Sequence, residues 1–182
     1  MHSYVLETER LILRPLTPDD AEAMFVWLSD PEVNRYMPYP LYTEVEPARQ
    51  WIMDSAKKEN YYLFGFVRKE DNLLIGSGDV SPRDGLDQPW AFGYNLRRDC
   101  WRQGYATEAT RAMIDFARRE FGVRDFQAEH AAANVASGKV IEKCGLIFDH
   151  DGEYGKYDGS EVFPAKFYKL HIEDEHERRA SL

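Results

Sequence analysis

The chain has 182 residues, 43% of them hydrophobic and 14% aromatic, enough for one well-buried core and too few for two ordinary domains. A formal net charge of −9 excludes general nucleic-acid binding, which needs a basic face to displace counterions. Residues 1–10 hold no apolar signal core and no apolar run approaches bilayer-spanning length, so a cytoplasmic protein without a membrane partner is expected.

Residues 10–14, Arg-Leu-Ile-Leu-Arg, read as an opening strand. Thr17, Pro18 and the acidic pair Asp19–Asp20 then supply an N-cap, a proline suited to a first helical position and an acidic first turn. The helix they start has Ala21, Met24, Phe25 and Leu28 on its apolar face and closes at Asp30 and Pro31. A second capping-box pattern, Thr43 with Glu46, precedes a helical run through Trp51, Ile52 and Ser55.

Between residues 61 and 96 the texture changes to short β-branched and aromatic runs, 61–68, 73–81 and 90–96, separated by turn residues at Asp71–Asn72 and Asp84–Gly85. This is the pattern of a β-meander. Gly76-Ser77-Gly78 lies inside the second run with no helix after it, so it marks a bulge or a close backbone approach rather than a nucleotide loop.

The segment Trp101-Arg102-Gln103-Gly104-Tyr105-Ala106-Thr107-Glu108-Ala109 passes from a strand into a long amphipathic helix bearing Ala109, Met113, Phe116 and Ala117 and ending at Gly122. Small residues at Gly104 and Ala106 let a ligand approach the backbone, and the unpaired N–H groups of a helix start favour an anion. A strand at 126–130, a helix at 134–143 stopped by Gly145, and strands at 146–153 and 162–170 complete a domain spanning 1–172. Residues 173–182 read as a charged tail. The fold class is α+β on a mixed sheet. Cys100 and Cys144 suggest no disulfide framework, and no Cys/His spacing suggests a metal site.

Two motifs in this order, Gly104-Tyr105-Ala106-Thr107-Glu108-Ala109 and Asn134-x-x-Ser137-x-x-Val140-x-Glu142-Lys143-x-Gly145, resemble the GNAT superfamily of acyl-CoA-dependent N-acyltransferases, specifically its ribosomal-protein N-terminal acetyltransferase-like branch. The opening run from Leu6 to Leu16 fits as well. The resemblance implies a sheet splayed between its fourth and fifth strands, here 90–96 and 126–130, with acetyl-CoA as co-substrate in the cleft and its pantetheine arm lying along the fourth strand. It assigns the pantetheine and thioester to the backbone of Tyr94, Asn95 and Leu96. The pyrophosphate falls to donors from Arg102, Gln103, Gly104, Tyr105, Ala106 and Thr107, and Asn134 and Ser137 complete the cofactor contacts.

The implied reaction is attack of a neutral amine on the thioester, helped by positioning, carbonyl polarisation and protonation of the departing thiolate. Many relatives place a tyrosine four residues before the helix-ending glycine; this chain has Ile141 there, and the N-x-x-S pattern of the branch it resembles implies Ser137 as the acid instead. Some relatives carry a glutamate two residues before the glycine of the fourth strand; here it is Ala91. His130, at the cleft end of the fifth strand with a suitable intrinsic pKa, is then the candidate base, with Asp79 a more distant one and water relay a third route. Residues 36–42, rich in tyrosine and proline, are expected to wall the acceptor site. The acceptor is a primary amine of a small molecule or protein N-terminus, and a homodimer is left open. The rival readings are a non-catalytic acyl-CoA sensor on the same fold and an unrelated nucleotide-binding module.

Overall fold

The computed structural model describes residues 4–83 and 88–173. The Asp84–Gly85 turn and nearly all of the expected charged tail lie outside them. The strands are β1 (Leu6–Glu7), β2 (Leu11–Pro15), β3 (Tyr62–Arg68), β4 (Leu73–Pro82), β5 (Trp90–Leu96), β6 (Asp125–Ala131), β7 (Ile147–Gly155) and β8 (Val162–His171). The helices are α1 (Ala21–Leu28), α2 (Pro31–Asn34), α3 (Glu46–Ser55), α4 (Tyr105–Phe121) and α5 (Val135–Lys143). One eight-stranded sheet runs β1-β2-β3-β4-β5-β6-β8-β7. All neighbours are antiparallel except β5 and β6, which are joined through α4 and are therefore parallel.

That parallel pair is short. Trp90 pairs with Phe126 and Ala91 with Gln127, and beyond them the two strands part. The closed end is held by an aromatic cluster: Trp90 stacks on Tyr62 at 6.0 Å and on Phe121 at 5.3 Å, while Phe116 meets Tyr62 edge-on at 5.2 Å. At the open end β5 keeps its β4 partners, Tyr94 opposite Gly78, Asn95 opposite Ser77 and Leu96 opposite Gly76, but has no strand on its other edge.

Over β2, β3 and β4 the sheet is buried on both faces. One face packs Leu11, Leu13, Phe64, Phe66 and Ile75 against α4 residues Met113, Phe116 and Ala117. The other packs Leu16, Val67 and Leu74 against Met24, Trp27 and Leu28 of α1 and Ala48 and Ile52 of α3. Helix α1 begins after a single 3-10 turn at Pro18–Asp20, where Thr17 and Asp20 form the expected capping box. Thr43 does not cap α3: Val45 occupies that position without a side-chain bond, so the Thr43–Glu46 pattern is local coincidence. Pro31 closes α1 and at the same time starts α2, capped by Asp30.

The Gly76-Ser77-Gly78 run is explained by closeness. A Cβ at Gly76 would stand 2.4 Å from Asn95 O, and one at Gly78 would stand 2.7 Å from Gly93 O. The register also shifts beside it, between Phe66 and Val67. Because the opposing atom is backbone in a central strand, Gly76→Ala is expected to lower stability by about 1–3 kcal/mol, the usual cost of overpacking. Urea denaturation of the variant against the parent chain measures this.

Candidate active site

The gap between β5 and β6 opens into a cavity of about 800 Å3. Its walls are β4 (Ser77, Asp79), β5 (Phe92 to Asn95), β6 (Ala128 to Ala131), the start of α5 (Asn134, Ser137) and the loop carrying Tyr36, Met37, Pro38, Tyr39 and Tyr42. Tyr154 and Tyr157, at the β7–β8 hairpin end, complete it.

The start of α4 lies beside the end of α5, with Gly104, Thr107 and Glu108 lining a neighbouring surface hollow that Lys143 also borders. Arg102 (φ 60°) and Gly104 (φ 85°) both take left-handed backbone, turning the chain so that α4 begins with no side-chain cap on its first N–H groups. Successive N–H groups in such a turn, backed by a helix dipole, make an anion-binding concavity. Arg102, Gln103 and Gly104 are exposed there, Ala106 and Thr107 half-buried, and the Tyr105 side chain is buried. Glu108 ties this turn to the sheet. It accepts from the Thr8 hydroxyl at 2.6 Å, the Arg10 backbone N–H at 2.8 Å and Arg10 Nε at 2.7 Å, while Arg10 Nη1 donates to Gln103 O at 2.8 Å.

On the cavity wall itself lies the start of α5. Asn134 caps it, its Oδ1 accepting from the Ser137 N–H at 3.3 Å. The Ser137 hydroxyl stands 3.1 Å from the Tyr94 hydroxyl, so a side-chain pair bridges the gap between β5 and α5. Burial raises the Tyr94 pKa to about 12, so its phenol stays protonated and able to donate. Ile141 is buried against this wall. The sequence points only to the Tyr94 backbone, because a separation of 43 residues from Ser137 gives no local signal of the side-chain pairing.

The side chains of β5 and the 36–42 loop form a second chain of bonds. Ser77 Oγ donates to Asn95 Oδ1 at 2.8 Å, and Asn95 Nδ2 donates to the Tyr39 hydroxyl at 2.6 Å. Burial pushes the Tyr39 and Tyr61 phenols well above the ordinary tyrosine value. The loop itself is held through main-chain carbonyls. Tyr154 Oη donates to Tyr36 O at 2.7 Å, Lys156 Nζ to Met37 O at 3.0 Å, and the Tyr157 N–H to Pro38 O at 2.7 Å.

His130 is only 6% exposed and its ring turns toward α5. Its Nδ1 lies 2.7 Å from Ala131 O and its Nε2 3.4 Å from the Tyr168 hydroxyl. A Cβ at Gly138 would come 2.6 Å from that Nε2, so the glycine is what lets the imidazole pack there. Glu129, on the opposite face of β6, is ion-paired with Arg83. Leu96 is buried and accepts the Trp101 indole N–H at its carbonyl at 3.0 Å, fixing the approach to the α4 turn. Cys100 and Cys144 are free thiols, and burial pushes Cys144 up to about 11, leaving it a poor nucleophile. Among the described residues no helix is long and apolar enough to cross a membrane, and no group of three or more His, Cys, Asp or Glu gathers as a metal site.

A mixed sheet parted after two residue pairs, its parted strands joined by a helix whose first N–H groups carry no side-chain cap, has the architecture of an acyl-CoA-dependent acyltransferase. Residues 10–147 match the acetyltransferase (GNAT) domain, and the chain belongs to that family of N-acetyltransferases. It is 31% identical over 159 residues to the uncharacterized N-acetyltransferase p20 of Bacillus licheniformis, covering 83% of this chain and 89% of that one. Among solved structures it is similar to a GNAT-family acetyltransferase from Bacillus anthracis, with a TM-score of 0.82 at 22% identity over 92% of this chain and 98% of that one. A putative ribosomal-protein-serine acetyltransferase from Vibrio cholerae gives a TM-score of 0.78 at 21% identity, covering 92% and 97% respectively.

Burial works to raise the Glu108 pKa, but the Thr8 hydroxyl and the Arg10 N–H and guanidinium outweigh it and hold the carboxyl below its ordinary value. A depressed carboxyl stabilises the fold above its unfolded pKa, and that contribution is lost as pH falls through the folded value. Arg10 faces solvent, which trims the Coulombic part, so the hydrogen bonds dominate. Glu108→Gln is expected to cost about 1–2 kcal/mol near neutral pH. The gap to the parent chain should close as pH drops below about 4. Denaturation midpoints measured across that range check both.

Proposed function

We propose that this protein transfers an acetyl group from acetyl-CoA to a primary amine of a small molecule or protein N-terminus by direct attack on the thioester. The observation that carries the reading is the one-sided edge of β5: Tyr94, Asn95 and Leu96 are paired to β4 but have no partner where β6 has moved away. An extended amide-bearing arm can add to that edge as a strand would. The α4 turn from Arg102 to Thr107 then receives the pyrophosphate, and Asn134 and Ser137 lie at the thioester end.

Thioesters are already activated, so positioning carries much of the acceleration and acid–base assistance adds roughly 10²- to 10⁴-fold. The amine nitrogen bonds to the acyl carbon as the carbon–sulfur bond breaks, and the proton that the nitrogen loses passes to solvent. The departing thiolate takes a proton from Ser137, which is replenished from the Tyr94 phenol 3.1 Å away and in turn from solvent. Tyr94 thus supplies, from the strand, the hydroxyl that Ile141 does not supply from the helix.

Ser137→Ala is expected to lower turnover at least roughly tenfold with CoA affinity nearly unchanged. Tyr94→Phe should lower it by a smaller factor in the same sense. Thiol release from acetyl-CoA with a panel of amines, beside calorimetric CoA binding, measures both; unchanged turnover in Ser137→Ala removes it from the acid role. CoA binding with no thiol release from the parent chain on any amine would instead favour the acyl-CoA sensor. Binding of ATP or NAD without CoA would favour a nucleotide module.

A further inference from the structure

Two carboxyl groups line the acceptor side of the cavity, and they are held differently. Glu129 is taken by Arg83, whereas Asp79 is in no ion pair among the described residues. Asp79 lies half-buried on β4, directly opposite Gly93 of β5. A Cβ at position 93 would stand 3.1 Å from Asp79 Oδ1, so the glycine makes room for this carboxyl one residue before the open edge at Tyr94. Around it stand the phenols of Tyr39, Tyr61 and Tyr157, close enough to feel its charge or one another's. Trp51 and Phe92 extend the apolar lining.

We propose that Asp79 receives the acceptor as an ammonium and removes its proton, and that the acceptor is a primary amine carried on an apolar body. This rests on the acetyltransferase reading of the same cavity. An ammonium among aromatic faces is attracted by their quadrupoles, and an unpaired carboxylate supplies the compensating charge. The proton of the ammonium passes to the Asp79 carboxylate, and the freed lone pair forms the carbon–nitrogen bond as the carbon–sulfur bond breaks. The thiolate takes one proton and solvent receives the other, so the turnover releases one proton net.

Removal from bulk water pushes the Asp79 pKa up to about 7, pulled partly back by the Lys58 ammonium and the Tyr61 hydroxyl. A base in that range is matched to neutral operating conditions. The groups facing it are Lys58 after α3, Tyr61 at the start of β3, Tyr39 of the loop, Tyr157 of the hairpin, and the Arg83–Glu129 pair at the rim.

The test uses the full chain with CoA bound. The Asp79 carboxyl is titrated by ¹³C NMR, assigned by difference against Asp79→Asn, with and without phenethylammonium chloride. The expected result is a pKa well above the ordinary aspartate value that falls when the amine is added. A carboxyl titrating near the ordinary value of about 4, unmoved by the amine, would overturn the proposal. In turnover, phenethylamine should be preferred to glycine. Asp79→Asn should lose about 100-fold in kcat/KM together with the acid limb of its pH profile, while KM for acetyl-CoA stays the same. Equal use of glycine overturns the acceptor class, and an intact acid limb in Asp79→Asn overturns the base. No turnover by the parent chain on any amine would sink the acetyltransferase reading, while the NMR titration still decides whether Asp79 holds an ammonium.

Discussion

The parting of β5 from β6 is the constraint on which the rest of the molecule depends. Two residue pairs keep the strands together, and the stacked rings of Tyr62, Trp90 and Phe121 hold that end shut. If pairing continued to Leu96, the sheet would be more complete and there would be no cavity. Roughly one hydrogen-bonded edge is left unmade, and such edges are costly unless something else covers them. Helix α4 joins the two parted strands and α5 follows β6 with its start on the cavity wall, so the deficit and the groups that exploit it arise from one topological choice.

Legibility in the sequence followed the range of each interaction. The α4 turn was readable because its parts, Arg102 to Glu108, are contiguous and each residue type answers a local backbone need; Gly104 and Gly122 indeed take positive φ at the two ends of the helix. The Asn134 cap was readable for the same reason. What escaped was set by sheet register. Asp79 meets Gly93, Ser77 meets Asn95, and Tyr94 reaches Ser137 only after strands and helix are assembled. The β1 strand was also missed, since two residues carry no periodicity.

His130 shows how one strand position can serve two neighbours. It stands at the cleft end of β6 and lines the cavity, while its ring packs toward α5, where Gly138 makes room and Tyr168 is its neighbour. Alternation by one residue decides whether a side chain faces a ligand or a helix. Gly93 and Gly138 act alike through the absence of a side chain: one makes room for the Asp79 carboxyl, the other for the His130 imidazole.

The clasp between the β7–β8 hairpin and the tyrosine-rich loop has its own consequence. Tyr154, Lys156 and the Tyr157 N–H all grip carbonyl oxygens of residues 36 to 38, not side chains. Every amino acid offers that oxygen. The identities at Met37 and Pro38 can therefore change while the roof keeps its shape, whereas Tyr36 also packs edge-on against Phe163, and such latitude frees a lineage to explore new amines without first renegotiating the scaffold.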